Sequence, residues 1–266
     1  MSDVTHGLTD DWAEQQWARM VPVIDAMVDR IQDPTEFIVR PGSALAADDR
    51  VSAPYQVSHC ARMCLNSGVD HLHAVKTLII GDEPLLHAAA DYSPIRGALE
   101  NFATAFWVLH PPASTIRVER ALRWMAKNFK QQHQATDVLS LPGDIGLQAK
   151  LDKVVDVAQR SSCANVLGGY TSTQAVKYAE EHATHKYVLL MWQVCSGFAH
   201  GRPWANLGMN AMEQHATHEE GVVTVRMTTD YKRLAAAALP AYHLMLDVFG
   251  RFTPMTPPRP CRRWRG

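Results

Sequence analysis

Residues 187–205 read YVLLMWQVCSGFAHGRPWA. Tyr187, Leu190, Met191, Val194 and Phe198 recur at spacings of three and four, which predicts one apolar stripe along a helix. Leu189, Gln193, Ser196 and His200 recur the same way on a neighbouring face, so three polar groups follow one another along about 10 Å of helix. Gly197 and Gly201 bracket the end and Pro203 prevents continuation, which puts His200 in the last turn. Imidazole gains or loses a proton near neutral pH. The face therefore reads in two ways: as groups that satisfy a helix end, or as the start of a site in which His200 is an acid or base beside Gln193 and Ser196.

The stretches on either side repeat the helical period. Thr9 to Ile31 carries Trp17, Met20, Ile24 and Val28 at helical spacing, with Thr9 or Asp10 placed to cap it and Pro22 placed to kink or restart it. A second helix runs from about Tyr55 to Ile80, and Gly81 ends it. A third has Ser93 as its cap, Pro94 at its first position and Ile95, Leu99, Phe102, Phe106 and Leu109 as its stripe. PLLHAAADY, just before it, suits a short helix of its own. Ser114 opens a fourth helix with Ile116, Ala121, Trp124 and Phe129 inward. Leu147 to Arg160, Gln174 to His182 and Asp230 to Phe252 complete the helical set, with a kink expected at Pro240. Asp33 to Pro54, rich in proline and small residues, reads as a long surface connection. Ala205–Gln214 and VVTVRM at Val222–Met227 suit a β-hairpin. The reading is all-α: a multi-helix bundle with a small β-hairpin insertion near the C-terminal end, one helical domain over 1–252, and a proline-rich basic tail over 253–266.

Composition narrows function only a little. Across 266 residues, 47% are hydrophobic and 20% charged, and the formal net charge is -1, so any anionic partner must meet a local patch. The polar, acidic start MSDVTHGLTDDWAEQQ resembles no secretory leader, and no stretch is long enough to cross a bilayer. Five cysteines, scattered and mostly in apolar helical surroundings, suit reduced thiols in a cytoplasm.

Three groups of residues hold chemistry outside the quoted stretch. Arg96, Glu100 and Asn101 make a polar cluster on an otherwise apolar helix, with Arg96 and Glu100 one turn apart. Arg117, Arg120, Arg123, Lys127 and Lys130 form the densest basic run before the tail, which suits a solvated face or contact with an anion such as RNA. Thirteen histidines raise a metal- or small-ligand-binding reading, above all at His71 and His73 and at His182 and His185. Yet no Glu is followed three residues later by His on paired helices, and His182 and His185 lack an evident third ligand. No metal and no cofactor are expected. NVLGGYTST has neither the lysine nor the preceding strand of a phosphate-binding loop, and there is no nucleophile elbow or dinucleotide fingerprint.

The order YSPIRGALENFATAFWVLHP, RVERALRW, MWQVCSGFAHGRPWA resembles the HEPN superfamily of helical domains over roughly residues 55–205. The resemblance implies a metal-independent ribonuclease of a toxin or phage-defence system, active as a symmetric homodimer with the Tyr187 helix near the interface. In that family an Arg precedes the catalytic His by four to six intervening residues. His200 matches the His, but six intervening residues lead back to Gln193, which has no permanent charge to stabilise a phosphorane. Arg202, Arg96 or an arginine of a second subunit would have to supply it. The resemblance thus implies a cleft with His200, Gln193 and Ser196 as its chemistry and Arg96, Glu100, Asn101, Arg120 and Arg202 as binding groups for RNA or a nucleotide. The alternative is a non-catalytic protein-interaction module of such a system.

Overall fold

The computed structural model describes residues 7–81, 83–136 and 146–255. Among them are ten α-helices and one two-stranded antiparallel sheet: α1 (Asp10–Gln32), α2 (Ala44–Ser52), α3 (Val57–Ile79), α4 (Tyr92–Leu109), α5 (Ser114–Thr136), α6 (Leu147–Arg160), α7 (Ser172–His182), α8 (Val188–Ala199), α9 (Pro203–Met209), β1 (Ala211–Ala216), β2 (Val223–Thr228) and α10 (Tyr231–Met255). The protein is an all-α bundle with a small hairpin. None of the described helices is long and apolar enough to cross a membrane.

The bundle is organised around α4. From Phe102 to Leu109 every one of its residues is buried, as a helix that is apolar all round must be. It packs against α3, α7, α8 and α10. At its start Tyr92 stacks on Phe198 of α8 with ring centroids 3.9 Å apart, which ties the beginning of α4 to the last turn of α8.

Side-chain caps explain several helix starts. The Trp12 amide donates to the Thr9 hydroxyl at 3.1 Å, so Thr9 caps α1. Helix α1 then runs through Pro22 without starting afresh, as α10 runs through Pro240. Thr171 and Gln174 form a reciprocal capping box that begins α7 at Ser172, slightly earlier than the sequence suggested.

Elsewhere the structure corrects the sequence reading. The expected surface connection 33–54 contains α2, with Leu45 and Asp48 fully buried. Its Ala-rich SALAADDR resembled a loop of small residues, but alanine is the strongest helix former, and Ser43 caps it by accepting from the Ala46 amide at 3.1 Å. PLLHAAADY forms a turn rather than a helix. There the buried Asp91 carboxylate accepts from the His87 amide at 2.8 Å and lies 2.9 Å from its Nδ1, and α4 starts at Tyr92 without a Ser93 cap.

Two stripes are rotated from expectation. On α5, Ile116 is exposed while Arg117 is buried, drawn in by Asp48. On α8, Val188 and Cys195 are buried, whereas Tyr187 and Leu190 are exposed. Tyr187 precedes the helix with a φ of 71°, which turns its side chain off the stripe. After Gly201 (φ 61°), Pro203 takes the first position of α9, so Ala205–Met209 is helix and not the first strand of the hairpin. The strands pair from Ala211 opposite Thr228 to Ala216 opposite Val223 and are almost wholly exposed. Their turn is tied by the Thr217 hydroxyl, which donates to the Val222 carbonyl at 2.8 Å and accepts from the Glu219 amide at 3.2 Å. The expected basic tail lies, beyond Met255, outside the described residues.

Candidate functional site

Helix α8 presents Gln193, Ser196 and His200 along one face, and the turn through Gly201 brings α9 back beside it. The two helices meet closely at Gly197, where a Cβ would stand 2.6 Å from that of Ala205 and 3.0 Å from Trp204. A larger residue at 197 would therefore push α9 away. Between them lies an open cleft of about 380 Å³, lined by Gln193, Ser196, His200, Arg202 and the indoles of Trp192 and Trp204. His200 is the C-cap of α8 and, like Arg202, is exposed.

Arg96, Glu100 and Asn101 do not line this cleft; they stand behind it. Arg96 Nη2 pairs with Glu100 Oε1 at 2.9 Å, and Trp192 Nε1 donates to the same oxygen at 2.8 Å. The ion pair therefore reaches the cleft only through the indole it orients. Asn101 Nδ2 donates to the Gly97 carbonyl at 2.9 Å, and its side chain borders a different, small cavity of about 170 Å³ shared with Glu100 and Tyr170. Burial pushes the Tyr170 phenol up to about 12, against a lowering hydrogen bond from Thr104. Burial likewise pushes the Cys195 thiol well up, with Arg96 nearby opposing the shift. Neither group is an acid at neutral pH.

Arg120 lies elsewhere. Its Nη1 donates to the Trp107 carbonyl at 2.5 Å, and its guanidinium covers the Tyr178 ring at 4.3 Å. Three more residues of the basic run are similarly engaged. Arg117 pairs with Asp48, Arg123 Nε donates to the Gly169 carbonyl at 2.6 Å, and Lys130 donates to the Leu167 carbonyl at 2.8 Å. The expected solvated basic face largely cements α5 to its neighbours.

The histidines divide rather than converge. His110 Nδ1 lies 2.8 Å from the Tyr178 hydroxyl, and its ring stacks on Phe106 at 4.7 Å and on His182 at 5.4 Å. Burial first, then the charges of Arg251, His182 and Arg120, lower its pKa. His185 stacks instead on His243 of α10, with centroids 3.6 Å apart. Among the described residues no group of three His, Cys, Asp or Glu side chains is placed to hold a metal ion.

The structure thus brings Gln193, Ser196, His200 and Arg202 together and leaves Arg96, Glu100, Asn101 and Arg120 outside. Trp192 and Trp204, both inside the stretch that held the polar face, were missed as cleft walls. Their signal was their position one residue before Gln193 and one after Pro203. No family model, no curated protein and no solved structure matches the chain.

Proposed function

We propose that the α8–α9 cleft binds single-stranded RNA or a nucleotide and cleaves RNA without a metal, as the HEPN resemblance implies. The observation that carries the reading is the gathering of His200, Arg202, Gln193 and Ser196 between two tryptophans in one open cleft. An exposed indole such as Trp204 is a stacking platform for a base, a contact of about 1–3 kcal/mol. Arg202 offers a fixed positive charge to a phosphate at the position where Gln193 cannot.

In the cleavage, the substrate's 2'-hydroxyl attacks the adjacent phosphorus as the bond from phosphorus to the 5'-oxygen breaks. His200 carries one of the two proton transfers, taking the attacking proton or supplying the one the leaving oxygen needs, and solvent water carries the other. Arg202 and Gln193 meet the negative charge that develops on the phosphorane. A symmetric dimer, a cytoplasmic setting and a place in a toxin or phage-defence system belong to the same proposal.

The test is cleavage of a mixed RNA pool in chelator by wild type, His200→Ala and Arg202→Ala. A general acid or base contributes roughly a hundredfold or more, so His200→Ala loses cleavage by at least that factor, while Arg202→Ala weakens binding. Equal cleavage by wild type and His200→Ala would refute the assignment. A non-catalytic interaction module is the second reading, favoured by the exposed Trp204 and Leu207 on α9. Wild-type protein that neither cleaves nor binds RNA would support it.

A further inference from the structure

A second cavity opens at the opposite end of α8. Its volume of about 470 Å³ falls in the ordinary range for small-ligand sites. Its walls are apolar and come from three helices: Trp12 of α1, Leu190 and Met191 of α8, and Ala236 and Leu239 of α10. The side chains on its lining that can carry a positive charge are His185, Lys186 and His243, and among the described residues no carboxylate lines it.

The nearby acids are turned to other work. Asp247, one turn beyond His243, accepts from the Thr184 amide and hydroxyl, each at 2.8 Å. Glu180 accepts from the amides of Tyr187 and Leu189 at 3.3 and 3.0 Å, at the start of α8. Among the described residues Lys186 donates to neutral partners, the carbonyls of Glu180 and Glu181 at 2.8 and 3.3 Å. No carboxylate among the described residues bonds it; Asp247 and Glu180, whose partners are likewise neutral, keep their own charge but lie outside the lining.

Two further features mark the mouth. The His185 and His243 rings lie face to face at 3.6 Å and 13°, a distance at which two imidazolium charges repel strongly unless an anion stands beside them. Tyr187, on the cavity lining, holds a φ of 71°. For an aromatic residue this is an outlier, and such strain collects at ligand clamps and active sites.

The geometry points to a binding site for a small apolar carboxylate, an aromatic or short aliphatic acid whose hydrocarbon fills the space between α1, α8 and α10 and whose carboxylate meets the His185–His243 pair and Lys186. Hydrogen bonds between imidazolium or ammonium and carboxylate are charge-assisted and about twice as strong as neutral ones. Free His243 favours its neutral form, since burial and then His185 lower its pKa against a raising influence from Asp247. Tyr242, 5.4 Å from the His243 ring, is neutral at these pH values because burial raises its phenol. A bound carboxylate favours the charged form of His243, so the complex holds more protons than the free protein. By linkage, binding strengthens as the pH falls.

The experiment is calorimetric titration of the full chain with 2-naphthoate, with neutral 2-naphthol and the cation 2-naphthylmethylammonium as comparators, at about pH 6 and about pH 8. The expected result is naphthoate bound roughly tenfold more tightly than either comparator, and at least about twofold more tightly at the lower pH, the sign that proton uptake on binding requires. His243→Gln, which removes the group whose pKa burial lowers, strongly reduces the pH dependence, and Ala236→Phe, which fills the cavity, abolishes binding in a protein that retains its helical circular dichroism. No naphthoate binding at millimolar concentration, equal binding of the comparators, or pH dependence undiminished in His243→Gln would each overturn the proposal. Neither position borders the α8–α9 cleft, so the outcome is independent of the RNA reading.

Discussion

Replacing Asp48 with alanine removes the counter-charge of a buried arginine. Asp48 is 0% exposed and Arg117 6%. Arg117 Nε and Nη2 donate to the two carboxylate oxygens at 2.6 and 3.1 Å, and the Ser114 hydroxyl donates to Oδ1 at 2.5 Å. The remaining guanidinium nitrogen, Nη1, donates to the carbonyls of Pro111 and Pro112 at 2.8 and 2.7 Å. After the substitution those two carbonyls stay, but the positive charge is buried without an anion. Breaking a buried pair by removing one partner costs about 3–5 kcal/mol. Ser114 is exposed and can turn to water, so it adds little. A loss of that size is a large fraction of the roughly 5–15 kcal/mol by which domains are stable. Urea unfolding followed by circular dichroism, with linear extrapolation, measures it. The double variant Asp48→Ala, Arg117→Met is the decisive control, because an apolar replacement of both members of a buried pair is often neutral. It should recover most of the loss. A single-variant cost under about 1 kcal/mol, or a double variant no more stable than Asp48→Ala, would refute the claim that a desolvated ion pair secures α2 to α5.

Gly197→Ala sets two effects against each other: overpacking against Ala205 and Trp204, about 1–3 kcal/mol, and the helix propensity gained over glycine, about 1 kcal/mol. The net stability loss should stay below about 2 kcal/mol, but Arg202 and Trp204 move with α9, so RNA affinity should fall more than urea stability. Lowered histidine pKa values also give stability a pH dependence. His110 and His243 are both shifted down from 6.5, each first by burial, so the unfolded chain binds more protons below that pH. Their contribution is fully present above about 6.5 and is lost as the pH falls toward the folded values. The urea midpoint should decline between neutral and mildly acidic pH, and His110→Gln or His243→Gln should flatten the decline.

Periodicity carried most of the architecture into view. Long helices such as α3 and α10 bury one stripe, and their residues repeat at helical spacing for many turns, so type and extent are legible. Helix α2 was hidden because nine residues give barely two repeats, and because its inward groups include an aspartate, which by itself looks like surface. Arg117 misled for the same reason: the sequence shows a charge but not the Asp48 that neutralises it from 69 positions away. The local pair Arg96 and Glu100 was legible from its spacing, whereas the bond from Trp192 to Glu100 spans 92 positions and was not. In the candidate cleft, the polar line of Gln193, Ser196 and His200 followed from helical geometry alone. Arg202 and Trp204 joined it only because Gly201 turns the chain back as α9, a change of direction that no periodicity announces.

The hairpin has a practical consequence for anyone building on this protein. An isolated two-stranded ribbon is marginally stable in water, and here it stands outside the helical core with its turn held by one threonine hydroxyl and Gly221 at a φ of 78°. Loop closure entropy grows only with the logarithm of length, so doubling the turn costs about 0.6 kcal/mol. Residues 217–222 are therefore the natural place to splice in a reporter or an affinity tag, at a distance in sequence from both α8 cavities and without touching the helix on which the bundle is assembled.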